Sequence, residues 1–361
     1  MNPLQQLHAA GQSIWLDNIT RELLTSKTLS RYINDIAVTG LTSNPTIFGN
    51  AFKSSDAYDD SIAKYLDEGL SGEDLFFQIA IDDLREAADL FRPIWERTHG
   101  VDGWVSLEVS PLLAHDTEST LKAAVQLHVK ADRPNLFIKI PGTPEGIPAI
   151  EEAVFAGVPV NVTLLFNDEH YRAAAEAYLR AIERRVEAGL DPFVGSVASV
   201  FVSRWDTAVT GRDEGLHNML GIATAKKTYQ AYRELLDSAR WQRLETEGAR
   251  AQRLLWASTG VKDPDASDVL YDRALAAPYT INTMPEKTLL AYGDHGDLGE
   301  LMPADGGNAD EVIRRFADED GVDVHQLAEQ LQAEGAESFN KSWNELMAGI
   351  EEKSRSVAAA G

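Results

Sequence analysis

The chain has 361 residues, of which 44% are hydrophobic and 25% charged, the balance of an ordinary globular protein. Its net charge is −24, it shows no Lys/Arg cluster and it has no cysteine, which excludes a nucleic-acid binder, a disulfide framework and thiolate chemistry. With no run of about 18 apolar residues and no signal-peptide pattern in Met1–Leu7, no membrane partner is expected, and the expected location is cytoplasmic.

Short β-type segments alternate with long helical patterns along the chain. Ser13–Asp17 is the first candidate strand, and helical material with Leu23, Leu24, Leu29 and Ile33 follows. Ala37–Leu41 is the second strand and runs into Thr42-Ser43-Asn44-Pro45, read as a turn. Residues 56–98 form two or three helices. Trp104–Val109, Asn135–Ile140 and Pro159–Leu165 are the third to fifth strands. Asn167 caps a helix that ends near Gly189. Phe193–Val200 is the sixth strand, residues 213–240 are helical, and Arg253–Ser258 and Tyr279–Thr283 complete the set of eight.

Strands separated by helices imply a parallel sheet, and eight of them imply an α/β fold of the closed (β/α)8 TIM-barrel type. An open doubly wound sheet is the alternative, but no GxGxxG follows the first strand. The expected division is a barrel over residues 1–304 and a C-terminal helical extension over 305–361. In the extension, Asp305–Asn308 is a loop and Asp310–Asp318 and Val324–Glu352 are helices. Phe339, Trp343, Leu346 and Ile350 fall at helical spacing there. The stripe is read as packing on the barrel; covering the mouth of a site is the functional alternative.

Side chains alternate faces along a strand. Ile14 and Leu16, Val105 and Leu107, Ile138 and Ile140, and Val160 and Val162 form apolar faces that suit contact with outer helices. The opposite faces carry polar groups near the strand ends: Asp17, Thr42 with Asn44, Glu108, Lys139, Asn161 with Thr163, and Ser199. Each has a structural explanation of its own. Asp17 and Asn44 suit caps or turns, Glu108 suits an ion pair with Lys139, and Asn161 and Thr163 suit buried backbone. Six strands ending this way together point to catalysis, which barrels place at the C-terminal ends of their strands.

One amine among carboxylates and amides suits Schiff-base chemistry. A free lysine is neutral in roughly one molecule in 2,500 at pH 7, so a desolvated interior has to favour the neutral amine. Glu108 or Asp17 suits the proton transfers. Asn44, Asn161 and Thr163 suit hydrogen bonds to substrate hydroxyls. A metal site of Asp17, Glu108 and Asp206 is the weaker alternative, because no histidine lies at ligand spacing and a lysine crowds the group. No metal and no cofactor are therefore expected.

Gly40-Leu41-Thr42-Ser43-Asn44-Pro45-Thr46 and Phe137-Ile138-Lys139-Ile140-Pro141-Gly142-Thr143 resemble the two signature regions of the transaldolase family, and Val160–Phe166 is similar to that family's fifth strand. The likeness runs from Asp17 to about Glu286. It implies transfer of a dihydroxyacetone unit between sugar phosphates: sedoheptulose 7-phosphate with glyceraldehyde 3-phosphate, and fructose 6-phosphate with erythrose 4-phosphate. By resemblance Lys139 forms the Schiff base, and Asp17 takes the hydroxyl proton at C–C cleavage. Glu108 works through a water with Thr163 beside it, Asn44 and Asn161 hold hydroxyls, and Ser199 and Arg204 contact phosphate.

Two positions depart from the family. It often reads Ser-Pro-Phe where this chain has Ser199-Val200-Phe201. Phe201 is kept where related fructose 6-phosphate aldolases tend to carry tyrosine, which favours transfer over simple cleavage. Many members have an arginine after the seventh strand, where Lys262 is the nearest replacement here. A lysine aldolase that releases dihydroxyacetone to water and a sugar-phosphate binding barrel without turnover are the other readings. The sequence leaves the oligomeric state open.

Overall fold

The computed structural model describes residues 1–211 and 214–360. The chain begins with α1 (Pro3–Ala9), β1 (Ser13–Asp17), α2 (Arg21–Thr25), α3 (Thr28–Asp35), β2 (Val38–Thr42), α4 (Pro45–Ser54), α5 (Asp59–Asp67), α6 (Gly72–Arg97) and β3 (Val105–Glu108). It continues with α7 (Thr117–Ala131), β4 (Leu136–Pro141), α8 (Gly146–Phe155), β5 (Val160–Leu165), α9 (Asp168–Glu187), β6 (Ser196–Phe201), α10 (Ser203–Ala208), α11 (Leu220–Leu236) and α12 (Ala239–Thr246). It ends with β7 (Arg253–Ala257), α13 (Leu270–Ala274), β8 (Ile281–Met284), α14 (Glu286–His295), α15 (Ala309–Asp320) and α16 (Val324–Ala360).

The eight strands are all parallel, in the order β2-β1-β8-β7-β6-β5-β4-β3. Backbone hydrogen bonds join the two end strands: Leu41 N donates to Trp104 O (3.0 Å) and Gly103 N to Thr39 O (3.0 Å). This is the (β/α)8 barrel read from the sequence. The seam depends on Gly40, where a Cβ would come within 2.6 Å of the Trp15 ring and 2.7 Å of Trp104 O.

The apolar strand faces behave as their alternation requires. Ile14, Leu16, Val105, Leu107, Ile138, Ile140, Val160 and Val162 are buried in the layer between strands and helices. The opposite faces point into the barrel. There Trp15, Trp104 and Phe137 fill the space below the polar strand ends, with Trp104 and Phe137 stacked at 4.0 Å between centroids. The polar groups therefore stand on an apolar floor.

Several boundaries shift for local reasons. Ala37 has φ 61° and Tyr279 has φ 65°, so β2 and β8 begin after them, at Val38 and Ile281. A turn closed by Val194 N to Pro192 O (2.9 Å) keeps residues 193–195 out of β6. The Asn44-Pro45 turn is instead a helix start: Asn44 Oδ1 accepts from Ile47 N (3.0 Å) and Pro45 takes the first helical position of α4. The helix expected over 213–240 is two helices, split where Ser238 caps α12 through Trp241 N; residue 213 lies outside the described residues. Asn167 caps α9 as read, accepting from His170 N at 2.9 Å.

The stripe of α16 divides its work. Trp343 packs edge-on against Phe76 (5.2 Å between centroids) and beside Phe77 (5.7 Å), and Leu346 and Ile350 join the same core. Phe339 belongs to the inner cluster with Phe201 and Phe166. The helix therefore both packs on the barrel and reaches over its C-terminal end. Among the described residues, no helix is long and apolar enough to cross a membrane.

Behind β8, Asp272 is fully buried and accepts from Asn282 Nδ2 at 3.1 Å. Burial pushes its carboxyl up to about 7 from the ordinary 3.8. The folded chain holds this proton where the unfolded chain releases it, so the group costs stability as pH rises from about 4 to about 7. Asp272→Asn is expected to stabilise the fold by on the order of 2–4 kcal/mol at pH 8 and by little at pH 4. Urea unfolding at both pH values measures this, and an equal effect at both would trace the change to packing instead.

Candidate active site

Parallel register sets the centre of the site. Glu108 pairs with Lys139 across β3 and β4, and Lys139 with Asn161 across β4 and β5. Lys139 Nζ lies 3.0 Å from Glu108 Oε2 and 3.3 Å from Ser43 O. Both side chains are nearly inaccessible, at 7% for Lys139 and 3% for Glu108. Burial pushes the Glu108 carboxyl above its usual range, although the Lys139 charge and hydrogen bond act against it. A carboxyl group of raised basicity thus stands in contact with the amine.

Asp17 ends β1 on the other side of the same space. Thr42 Oγ1 donates to Asp17 Oδ1 (2.8 Å) and is itself 2.7 Å from Thr283 Oγ1. Burial also raises the Asp17 carboxyl, with the Lys139 charge and the Thr42 bond opposing. Thr42 therefore orients the carboxylate and also lines the cavity.

Asn161 is wholly buried; its Nδ2 donates to Ser106 Oγ (3.2 Å) and its Oδ1 accepts from Ser199 Oγ (2.7 Å). Glu108 Oε1 and Thr163 Oγ1 are buried with no hydrogen-bond partner among the described residues. Two such atoms beside an amine are polar capacity that a water or a substrate oxygen would satisfy. Asn44 spends its side-chain carbonyl on the α4 cap and is among the residues that line the cavity.

Asp17, Thr42, Asn44, Lys139, Thr163, Ser199, Phe201, Arg204 and Lys262 all line one cavity of about 300 Å³ at the C-terminal ends of the strands. Glu108 and Asn161 stand just behind its wall, within hydrogen-bond reach of lining residues Lys139 and Ser199. A larger cavity of about 640 Å³ opens at the opposite end of the barrel, below Trp104 and Phe137, and none of these residues lines it.

Arg204 and Lys262 make no ion pair within 4 Å among the described residues. Asp206, two residues from Arg204, accepts from Leu220 N (2.9 Å), Gly221 N (3.3 Å) and Tyr271 OH (2.9 Å) instead. Those bonds also take Asp206 out of any metal set with Asp17 and Glu108, and no such set forms among the described residues. Asp263, next to Lys262, is held by His217 and Asn218, both at 2.7 Å. The Arg204 guanidinium lies 5.0 Å from the centroid of Phe201 and 5.8 Å from that of Phe339, and burial lowers its affinity for its proton.

Ser199, expected at a phosphate, lines the cavity and gives its hydroxyl proton to Asn161, and Asn161, expected at substrate hydroxyls, is bonded through both ends of its amide to Ser106 and Ser199. Thr283, Ser338 and Phe339 line the cavity and were not singled out as site residues. Thr283 carried a readable signal, since it ends an apolar-alternating strand as the other polar residues do. Ser338 and Phe339 carried none beyond helical spacing.

Comparison with known proteins adds the following. The family described as Transaldolase/Fructose-6-phosphate aldolase matches residues 14–350. A protein named transaldolase from Thermobifida fusca is 46% identical over 355 residues, covering 96% of each chain. One from Mycolicibacterium paratuberculosis is 46% identical over 358 residues with 96% coverage of each, and one from Saccharopolyspora erythraea is 44% identical over 358 residues with 97% coverage of each.

Removing one partner of a buried pair strands the other. In Lys139→Met, folded Glu108 keeps its proton well above the ordinary value of 4.5 and resists ionisation. The resulting loss is present above the ordinary carboxylate range and fades as pH falls below it. Lys139→Met is expected to lose about 3–5 kcal/mol at pH 8 and much less at pH 4, with Glu108→Gln added to it restoring most of the loss. Denaturant titration at the two pH values decides this; a pH-independent loss would assign the deficit to packing.

Proposed function

This chain belongs to the transaldolase/fructose-6-phosphate aldolase family, and from that premise we propose that it is a transaldolase carrying a dihydroxyacetone unit on Lys139. It moves the unit from sedoheptulose 7-phosphate to glyceraldehyde 3-phosphate, giving erythrose 4-phosphate and fructose 6-phosphate. The observation that supports this most directly is the buried Lys139–Glu108 contact of 3.0 Å opposite Asp17 in one cavity.

The chemistry follows from the positions of these groups. Lys139 passes a proton to Glu108, which leaves the neutral amine that attack on a carbonyl requires. The free amine adds to the ketose carbonyl carbon, and Glu108 returns the proton to the departing hydroxyl as water leaves. Glu108 Oε1 and Thr163 Oγ1 suit the relay of that proton through a water. The iminium carbon, C2 of the ketose, draws electrons from the C3–C4 bond one carbon away. Asp17 takes the proton of the C4 hydroxyl, the C3–C4 bond breaks, and an aldose leaves with its new carbonyl at the former C4. The electron pair stays on the three-carbon unit as an enamine. An acceptor aldehyde then bonds to that carbon, Asp17 gives back its proton to the new hydroxyl, and water releases the ketose and Lys139.

Thr42 and Thr283 hold Asp17 in line, and the Asn44 amide is the cavity-wall donor for a substrate hydroxyl. Arg204 grips the phosphate, with Lys262 as a secondary charge. Phe201, in place of a tyrosine, offers water no hydroxyl and supports transfer over hydrolysis. No step calls for a metal or cofactor. The partners are small sugar phosphates, with no nucleic acid or membrane, and the setting is the cytoplasmic non-oxidative pentose phosphate pathway.

Borohydride reduction in the presence of fructose 6-phosphate tests the reading. The parent is expected to trap a covalent adduct, and Lys139→Ala is expected to lose both trapping and turnover. Asp17→Asn is expected to trap but to cleave about 10²–10⁴-fold more slowly, since an amide keeps the shape and cannot accept the proton. A parent chain that binds the sugar and traps nothing would leave only a binding barrel.

The phosphate site gives a second test. Arg204→Ala is expected to raise KM for phosphorylated donors roughly 10- to 150-fold, from the loss of a charge-assisted contact of about 1.5–3 kcal/mol. Lys262→Ala is expected to do less, as an exposed point charge worth about 0.2–1 kcal/mol. KM for unphosphorylated donors should barely change. Equal losses on both donor types would make Arg204 structural.

A further inference from the structure

We infer that one face of α16 caps the active site, and that its Phe339 ring decides whether the three-carbon unit on Lys139 passes to an aldose or is released by water. The inference rests on the Schiff-base reading of Lys139 and concerns the fate of the intermediate after the first aldose has left.

Three residues of α16 build the cap, spaced so that they share one side of the helix. Gln332 is 5% exposed, and its Nε2 donates both to Gly142 O (3.0 Å) and to Leu164 O (2.9 Å). Those carbonyls follow Lys139 on β4 and Thr163 on β5, so one amide ties the helix to the strands that carry the chemistry. Leu164 has φ 60°, a costly conformation whose carbonyl the Gln332 bond holds in place. Gly335 comes next. A Cβ there would lie 2.8 Å from Arg204 Nη1 and 2.9 Å from Leu164 Cδ2, so only glycine lets the helix approach this closely.

Phe339 is the part that faces the chemistry. Its centroid lies 5.7 Å from Lys139 Nζ, 5.8 Å from Arg204 Cζ and 6.4 Å from the Phe201 centroid. It is 8% exposed and forms the cavity wall with Ser338. The two phenylalanines therefore flank the arginine, and one of them also stands over the amine that carries the intermediate.

The competing reaction needs water at two moments. A proton adds to the nucleophilic carbon of the enamine, giving an iminium. Water then adds to the iminium carbon and the C–N bond breaks, with its electron pair returning to Nζ, which takes up the protons that the water gives up. Dihydroxyacetone leaves. An apolar ring over Lys139 keeps water from that space, whereas an aldose bound through its phosphate at Arg204 enters beneath the ring. The cap is thus a specificity element for aldehyde over water, and Gln332 and Gly335 are positioning residues for it.

The test uses the full chain with fructose 6-phosphate, with and without erythrose 4-phosphate. Two rates are read: formation of sedoheptulose 7-phosphate and release of free dihydroxyacetone. Phe339→Ala is expected to raise the ratio of release to transfer on the order of tenfold, while borohydride trapping persists. Gln332→Leu, which leaves the cavity wall intact and loosens the helix, is expected to move the ratio the same way by less, and it serves if the alanine variant does not fold. A merely structural role would lower both rates in parallel and leave the ratio unchanged. An unchanged ratio in a folded variant that still traps overturns the inference. Failure of the parent chain to trap overturns the Lys139 reading instead.

Discussion

A buried amine facing buried carboxylates is the constraint on which this structure turns. Lys139 is 6% exposed and Glu108 4%, and either charge alone at such depth would cost several kcal/mol. The two are tolerable only together, so they must be placed together. Strand register does this without any long-range adjustment, because Glu108 and Lys139 are direct partners on adjacent parallel strands. The pair is therefore fixed by the strand ladder itself. The strands on either side inherit the constraint. Ser43 offers its carbonyl to the same amine, and the Ser106–Asn161–Ser199 chain of hydrogen bonds satisfies the wall around it.

Much of this was legible in the amino-acid order, because period-two alternation records which face is apolar and where polarity begins. Asp17, Glu108, Lys139 and Thr163 were readable for that reason, and the barrel followed from eight repetitions of the pattern. What was not legible depended on contacts between distant parts of the chain. Asn44-Pro45 reads equally well as a turn and as the start of α4, and only the bond to Ile47 N separates them. Ser199 offers a hydroxyl in sequence, and its donation to Asn161 exists only once β5 and β6 pair. Phe339 sits in a stripe with Trp343, Leu346 and Ile350, and nothing in the spacing marks it as the member that leaves the core. Ala37 and Tyr279 look like strand residues until their positive φ values remove them.

The charge balance places a further demand on the site. A chain of net charge −24 repels a sugar phosphate at a distance, so recognition depends on a few cations at contact range. Arg204 lines the cavity and holds no carboxylate within 4 Å among the described residues. Aromatic faces on two sides stabilise its charge without neutralising it, which keeps its hydrogen-bond donors available to an anion. Had Asp206, two residues away, paired with it, the guanidinium would already be satisfied. Backbone amides at the start of α11 and the Tyr271 hydroxyl occupy Asp206 instead.

The stacked rings of Trp104 and Phe137, with Trp15 at 6.2 Å from the latter, close the barrel beneath the polar layer. Above this floor lies the cavity that Lys139 lines, and below it the larger one at the opposite end. The rings are thus a partition: they give one barrel two separate compartments, and the polar strand ends belong to the upper one alone.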